Sequence, residues 1–171
     1  MKATHNLKPI YDNSSKVLIL GSFPSVKSRE VCSYYAHQKN RFWKILSILY
    51  EEEIGDKEKF LLNHHIALWD VIASCDIVGS SDASIKNVKV NDIKKIIKAS
   101  KIEKVFTTGK KAYDLYNKYL RKELGMEAIY LPSPSPANAA MSLDKLVLEY
   151  KKIKYWLLYF FNTLNYWLIF F

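Results

Sequence analysis

VLILGSFPSVKSREVCSYYAHQKNRFW, residues 17–43, is the stretch on which the fold turns. Residues 16–20 form an apolar, β-branched-rich run without alternation, the pattern of a strand buried on both faces. The run breaks at Gly21 and passes through Ser22, Phe23 and Pro24 into a polar and aromatic segment that closes on Asn40, Arg41, Phe42 and Trp43. Backbone groups at the carboxyl end of such a strand are exposed and closely approachable, which is why α/β proteins place ligands there. Phe42, Ile45, Leu46 and Leu49 then recur at helical spacing, so the loop feeds a helix over residues 42–50.

Working outward, the acidic run at 51–53 and Gly55 break that helix, and residues 57–63 predict a second short one. HIALWDV, residues 65–71, reads as a second buried strand carrying Asp70 at its end. Residues 73–87 are polar and contain Gly79, Ser80, Ser81 and Asp82, which predicts a long functional or poorly ordered loop. A basic amphipathic helix follows over 91–101, with Asn91 as its cap and Ile93, Ile96 and Ile97 facing inward. Residues 104–108 predict a third strand, Gly109 turns the chain into a helix over 110–122, and 129–131 predict a short fourth strand. The prolines of PSPSPAN forbid regular structure, after which Asn138 is placed to cap a last helix over 139–160. Strand and helix alternate, so the expectation is a three-layer α/β/α domain over residues 1–160 with a central four-stranded, mainly parallel sheet.

A chain of 171 residues suffices for one domain with its own core, and 49% apolar with 25% charged residues is ordinary globular composition. Cys32 and Cys75 are too few for a disulfide framework, so a reduced, cytoplasmic protein is the default. Residues 1–11 have no apolar core, and no export signal is expected. The formal charge of +9 is concentrated: residues 86–122 hold 12 Lys and Arg against 3 acids, while the rest of the chain carries 14 of each. Such a segment suits a polyanion, through counterion release and steering, or is simply a solvated Lys-rich surface. Residues 155–171 are uncharged but interrupted by Asn162, Thr163 and Asn165, and fall short of the roughly 20 apolar residues of a membrane span. The apolar tail at 161–171 therefore seeks a cover in the domain, a second subunit or a membrane surface, with a membrane the least expected and an oligomer possible.

TTGKKA, residues 107–112, superficially suggests a triphosphate loop but lacks the upstream glycine and carries Lys111 where Ser or Thr is needed. What remains is a helix start where Gly109, Lys110 and Lys111 can hold a backbone phosphate. Adjacent His64 and His65 would point to opposite faces of a strand, and no Cys, Asp or Glu joins them at ligand spacing, so no metal site is expected. No serine has a nucleophile-elbow context.

GSFPS at 21–25, YYAHQKNRFWKIL at 34–46, LWDV at 68–71 and LPSPSPAN at 131–138 together resemble the uracil-DNA glycosylase superfamily, and within it the hypoxanthine (deoxyinosine) DNA glycosylase family, which is related to the mismatch-specific uracil glycosylases. The similarity runs in order over about residues 16–148. It implies a uracil-DNA glycosylase-like fold and a monofunctional DNA glycosylase that removes a deaminated base, hypoxanthine first, from double-stranded DNA by base flipping, with no cofactor and no metal; the alternative within the class is a uracil glycosylase for G·U mismatches. Gly21, Ser22, Phe23 and Pro24 correspond to the loop under the base. Mismatch-specific relatives carry GINP there, whose Asn positions the attacking water; Phe23 cannot do so, and the resemblance shifts that role to Asn40. Asn40 is equally placed to cap the following helix. Tyr35 corresponds to the aromatic that stacks on the flipped base, and Asp70 falls where relatives carry a base-reading polar residue, unless it caps the next turn.

The proline loop supplies no electrophilic His in either register, 131–133 or 135–137, so help to the leaving base is expected from backbone N–H groups or Ser133 and Ser135 hydroxyls. Ser133, Ser135, Pro136 and Asn138 are implied DNA contacts, and Met141 an implied wedge that fills the hole left by the flipped base. An alternative of another class is a non-catalytic nucleic-acid-binding α/β module in which Asn40 only caps a helix.

Overall fold

Val17, Leu18, Ile19 and Leu20 are wholly buried, as a strand flanked by layers on both faces must be. In the computed structural model, which describes the backbone of residues 2–169 and the side chains of residues 2–160, they lie at the centre of the molecule. The elements in order are β1 (Lys2–Thr4), β2 (Val17–Gly21), α1 (Val26–Val31), α2 (Phe42–Tyr50), α3 (Lys57–Asn63), β3 (Ile66–Asp70), β4 (Ile72–Asp76), β5 (Lys86–Val90), α4 (Ile93–Lys98), β6 (Lys104–Thr108), α5 (Lys110–Tyr119), α6 (Arg121–Leu124), β7 (Ala128–Leu131) and α7 (Leu143–Ile169). Four strands form a parallel sheet in the order β3-β2-β6-β7.

Because side chains alternate along a strand, β2 sends Val17 and Ile19 to one face and Leu18 and Leu20 to the other. The first pair packs in a cluster with Phe42, Ile45, Leu46 and Leu49 of α2 and Leu146, Tyr150 and Ile153 of α7. The second pair packs with Ile93 and Ile96 of α4 and Leu115 and Tyr116 of α5. The three expected layers follow directly. Parallel register brings Gly21, Asp70, Thr108 and Leu131 to the same end of the sheet.

Several local expectations are corrected. Residues 73–87 are not one long loop: β4 and β5 pair antiparallel, and β1 adds to β4 to give a second, three-stranded sheet. Its strands are short and largely polar outward, so they carry no apolar run to read. Asn91 does not cap α4; Asp92 does, accepting from Lys95 N–H at 3.1 Å. Asn91 is instead buried and donates through Nδ2 to the carbonyls of Asp70 and Ile72, pinning the bend at which the chain leaves one sheet for the other. His64 and His65 are not on a strand: His64 closes α3, and His65 has φ 57°. The last helix starts at Leu143, with Ser142 Oγ accepting from Lys145 N–H, so Asn138 lies upstream of its start. The apolar tail at 161–171 falls outside the described side chains. No helix among the described residues is long and apolar enough to cross a membrane.

Candidate base-binding site

A cavity of about 140 Å³ opens at the carboxyl ends of the parallel strands. That is far below the several hundred Å³ of a drug-sized site and suits a single planar ring system. Gly21, Ser22, Phe23, Pro24, Tyr35, Asn40, Asp70, Ser133 and Ser135 all line it, so most of the residues named from sequence converge. Gly109, Lys110, Lys111, Pro136, Asn138 and Met141 do not line it.

Gly21 and Asp70 are register partners on β2 and β3. A Cβ on Gly21 would lie 2.2 Å from Asp70 Oδ1, so only glycine lets the carboxylate lie across the strand end. The other oxygen, Oδ2, accepts a 2.8 Å hydrogen bond from His5 Nε2. Asp70 is therefore not capping a turn through its side chain.

Asn40 Oδ1 accepts from the N–H of Phe42 at 3.0 Å, which satisfies one orphan donor at the start of α2. The carbonyl oxygen retains a second lone pair, and the amide Nδ2 is a further donor at the pocket wall. Tyr35 sits at φ 52°, stacks on Phe42 with centroids 3.9 Å apart, and shares a 2.9 Å hydrogen bond with Thr108 Oγ1. One ring face is thus occupied from within, leaving the other face and the edge to a ligand. Burial, reinforced by the charge of Asp70, pushes the Tyr34 and Tyr35 phenols upward, so both stay protonated.

The proline loop is held by Arg41, whose part the sequence reading missed. Its guanidinium donates to the carbonyls of Pro134, Ser135, Asn138 and Met141, and its backbone N–H also reaches Pro134 O. Buried Tyr150 adds a bond from its hydroxyl to Pro132 O at 3.0 Å. Ser133 and Ser135 hydroxyls accept from the N–H groups of Ser135 and Ala137, so the loop is braced internally as well. Met141 is half-buried against the core.

Asp82, on the β4–β5 connection, is a second carboxylate in the pocket. The residue as a whole is exposed, but Oδ1 turns onto Ser22 Oγ at 2.9 Å. Burial raises its pKa; Ser22 and the charge of Lys111 pull the other way, and Asp70 adds to the rise. A carboxyl group with a raised folded-state pKa binds its proton more tightly folded than unfolded. Stability therefore rises as pH falls from above the raised pKa towards 3.8, and the charged form is a burden at neutral pH. Asp82→Asn should accordingly melt slightly higher than wild type near pH 7, with the gain disappearing on acidification; melting curves across pH check this, and a lower melting point at neutral pH would contradict it.

Gly109 has φ 89°, and its N–H is committed to Leu131 O at 2.7 Å, so that amide is not available to a phosphate. Lys110 is exposed and pairs with Asp114, while Lys111 lies close enough to bias Asp82. The basic segment does not form one face: Lys104 starts β6, and Lys110 follows its opposite end. No group of three or more His, Cys, Asp or Glu among the described residues could hold a metal ion.

The cavity sits at the strand ends of a three-layer α/β/α domain, with an amide and two carboxylates in its wall. Residues 9–157 match the family model described as the uracil DNA glycosylase superfamily. The hypoxanthine DNA glycosylase of Methanosarcina acetivorans is 33% identical over 144 residues, covering 80% of this chain and 89% of that protein. That of Methanosarcina barkeri is 33% identical over 137 residues, covering 76% and 85%. The solution NMR structure of a candidate uracil DNA glycosylase from Methanosarcina acetivorans superposes with a TM-score of 0.74 at 28% identity, over 90% of this chain and 99% of that one. The chain belongs to the uracil DNA glycosylase superfamily and is a DNA glycosylase, a hydrolase of N-glycosyl compounds.

Proposed function

We propose that the chain excises hypoxanthine from DNA, with uracil as a second substrate, after the damaged nucleotide is flipped into the pocket. The observation that carries this preference is electrostatic: the charged side chains lining the pocket are Asp70 and Asp82, with no Lys, Arg or His among the described lining residues. A negative pocket opposes departure of an anionic base and favours a cationic transition state. A purine meets that demand, because N7 can take up a proton before the C1′–N9 bond breaks, so that hypoxanthine leaves neutral. Uracil offers only its carbonyl oxygens for such a proton. The names of the relatives support the same substrate.

In this mechanism the C1′–N9 electron pair leaves with the base while positive charge develops on the sugar. A water then bonds C1′ and releases its proton to solvent, which balances the solvent proton taken up at N7. Asn40 holds that water through the free lone pair of Oδ1 and through Nδ2, without ionising. Asp70 Oδ1 accepts from the ring N–H beside the base carbonyl. The Ser133 and Ser135 hydroxyls, expected from sequence to help the leaving base, accept loop N–H bonds and keep their own O–H groups to donate to it.

The deciding experiment uses labelled duplexes with one hypoxanthine or uracil, followed by alkaline cleavage of abasic sites. Asn40→Ala should lower hypoxanthine release by about 10² or more and stability by about 1 kcal/mol through the lost bond from Phe42 N–H, with DNA binding retained. Asn40→Ser separates the two roles, since its hydroxyl can still accept from Phe42 N–H. It should keep the stability and lose the rate. Wild-type rates in Asn40→Ser would remove the amide from the mechanism, and DNA binding without release of either base would leave only a non-catalytic module.

A further inference from the structure

His5 precedes the residues matched by the family model, yet its ring is packed directly behind the pocket. Its side chain is 2% exposed and that of its partner Asp70 is 6% exposed. Nδ1 accepts the Leu7 N–H at 3.2 Å, so the ring proton sits on Nε2, which donates to Asp70 Oδ2 at 2.8 Å. The backbone on either side is tied down: β1 pairs with β4, His5 N–H reaches Ala73 O at 2.8 Å, and Ile10 exchanges two hydrogen bonds with Leu68. Phe23 and Trp69 meet the ring edge-on at 6.0 and 6.1 Å, so it is packed from two sides.

We infer that His5 is a positioning residue that fixes the Asp70 carboxylate so that Oδ1 alone faces the base, as a pure acceptor. The inference rests on Asp70 reading the base in the proposed reaction. With Oδ2 engaged by His5, the remaining oxygen lies against Gly21 at the pocket floor. An ionised oxygen held there accepts from a ring N–H beside a carbonyl, which hypoxanthine and uracil both have. Adenine and cytosine present a ring nitrogen lone pair at that position and are repelled. A freely rotating carboxylate would let a water or a proton bridge the mismatch, so the fixed geometry sharpens rejection of the undamaged base. The amino-terminal segment is thereby part of the specificity apparatus rather than a decoration of the sheet edge.

The test is a double-mutant cycle on the full chain, with single-turnover release measured on hypoxanthine and uracil duplexes side by side and melting curves in parallel. His5→Ala should lower release by about tenfold to a hundredfold, the range for groups that orient a functional residue. His5→Gln, whose amide can still donate to Oδ2, should recover most of that loss. In an Asp70→Asn background, His5→Ala should cost less than about twofold more. Independent, multiplying losses in the two positions would overturn the inference, as would a His5→Gln rate as low as that of Asp70→Asn in a protein that melts normally. If His5→Ala does not fold, the His5→Gln arm decides by the same criterion. Wild-type release of uracil without hypoxanthine would overturn the substrate assignment alone, and the cycle is then read on uracil. A wild-type rate in Asp70→Asn, or release of neither base by the wild type, overturns both.

Discussion

Gly21→Ala should reduce base release by about 10², the scale expected when a reacting group is displaced by an ångström. The added methyl would sit 2.2 Å from Asp70 Oδ1, and something must move. The strands cannot part cheaply, because β2 is paired on both sides and every residue from Val17 to Leu20 is fully buried. The carboxylate is the softer element, so it should swing away and break its bond to His5. Overpacking of this kind costs about 1–3 kcal/mol, so the variant remains folded but loses rate far out of proportion to its stability. Denaturant melts combined with single-turnover release check both halves. Full activity in Gly21→Ala would mean that the Asp70 carboxylate plays no part in the reaction.

Arg41→Ala should be the most destabilising single change at the site, by about 3 kcal/mol, since breaking a hydrogen-bond network is among the few changes that reach this size. Four carbonyls, those of Pro134, Ser135, Asn138 and Met141, lose a charged donor together. Ser133, Pro134 and Ser135 line the pocket, so its wall should loosen as the loop does. Arg41→Lys should not rescue it, because one ammonium cannot span a fork of carbonyls set by a planar guanidinium. Hydrogen exchange at Ser135 and Asn138, with melting curves, measures the effect. A lysine variant as stable as wild type would show that charge alone holds the loop.

The parallel sheet was legible because β2, β3 and β6 are short runs that end at Gly21, at Asp70 and just before Gly109, and because helical periodicity resumes at Phe42. The second sheet was not, since β1, β4 and β5 alternate weakly and bury few side chains. Asn91 shows the limit of capping rules: Asn and Asp are adjacent at 91 and 92, either type caps helices, and only the buried carbonyls of Asp70 and Ile72 decide which does what. Most of the pocket could be named from its motifs because those motifs sit at strand ends. His5 could not, since its partner lies 65 residues away and no local pattern links them. Arg41 stood within the quoted segment, but its targets are backbone carbonyls, which every residue possesses and no sequence advertises. Asp82 lay in a stretch whose Gly and Ser content marked a loop without marking its direction.

The hydrogen bond from Phe42 N–H to Asn40 Oδ1 has a bearing on how such a chain drifts over generations. Under the proposed reaction, a single side chain answers to two independent pressures, one to begin a helix and one to hold water. A lineage that abandoned the chemistry would still be penalised for placing an apolar residue there, and would wander among Asn, Asp, Ser and Thr. The oxygen at this position therefore answers to folding and to chemistry at once. The amide nitrogen beside it answers to chemistry alone.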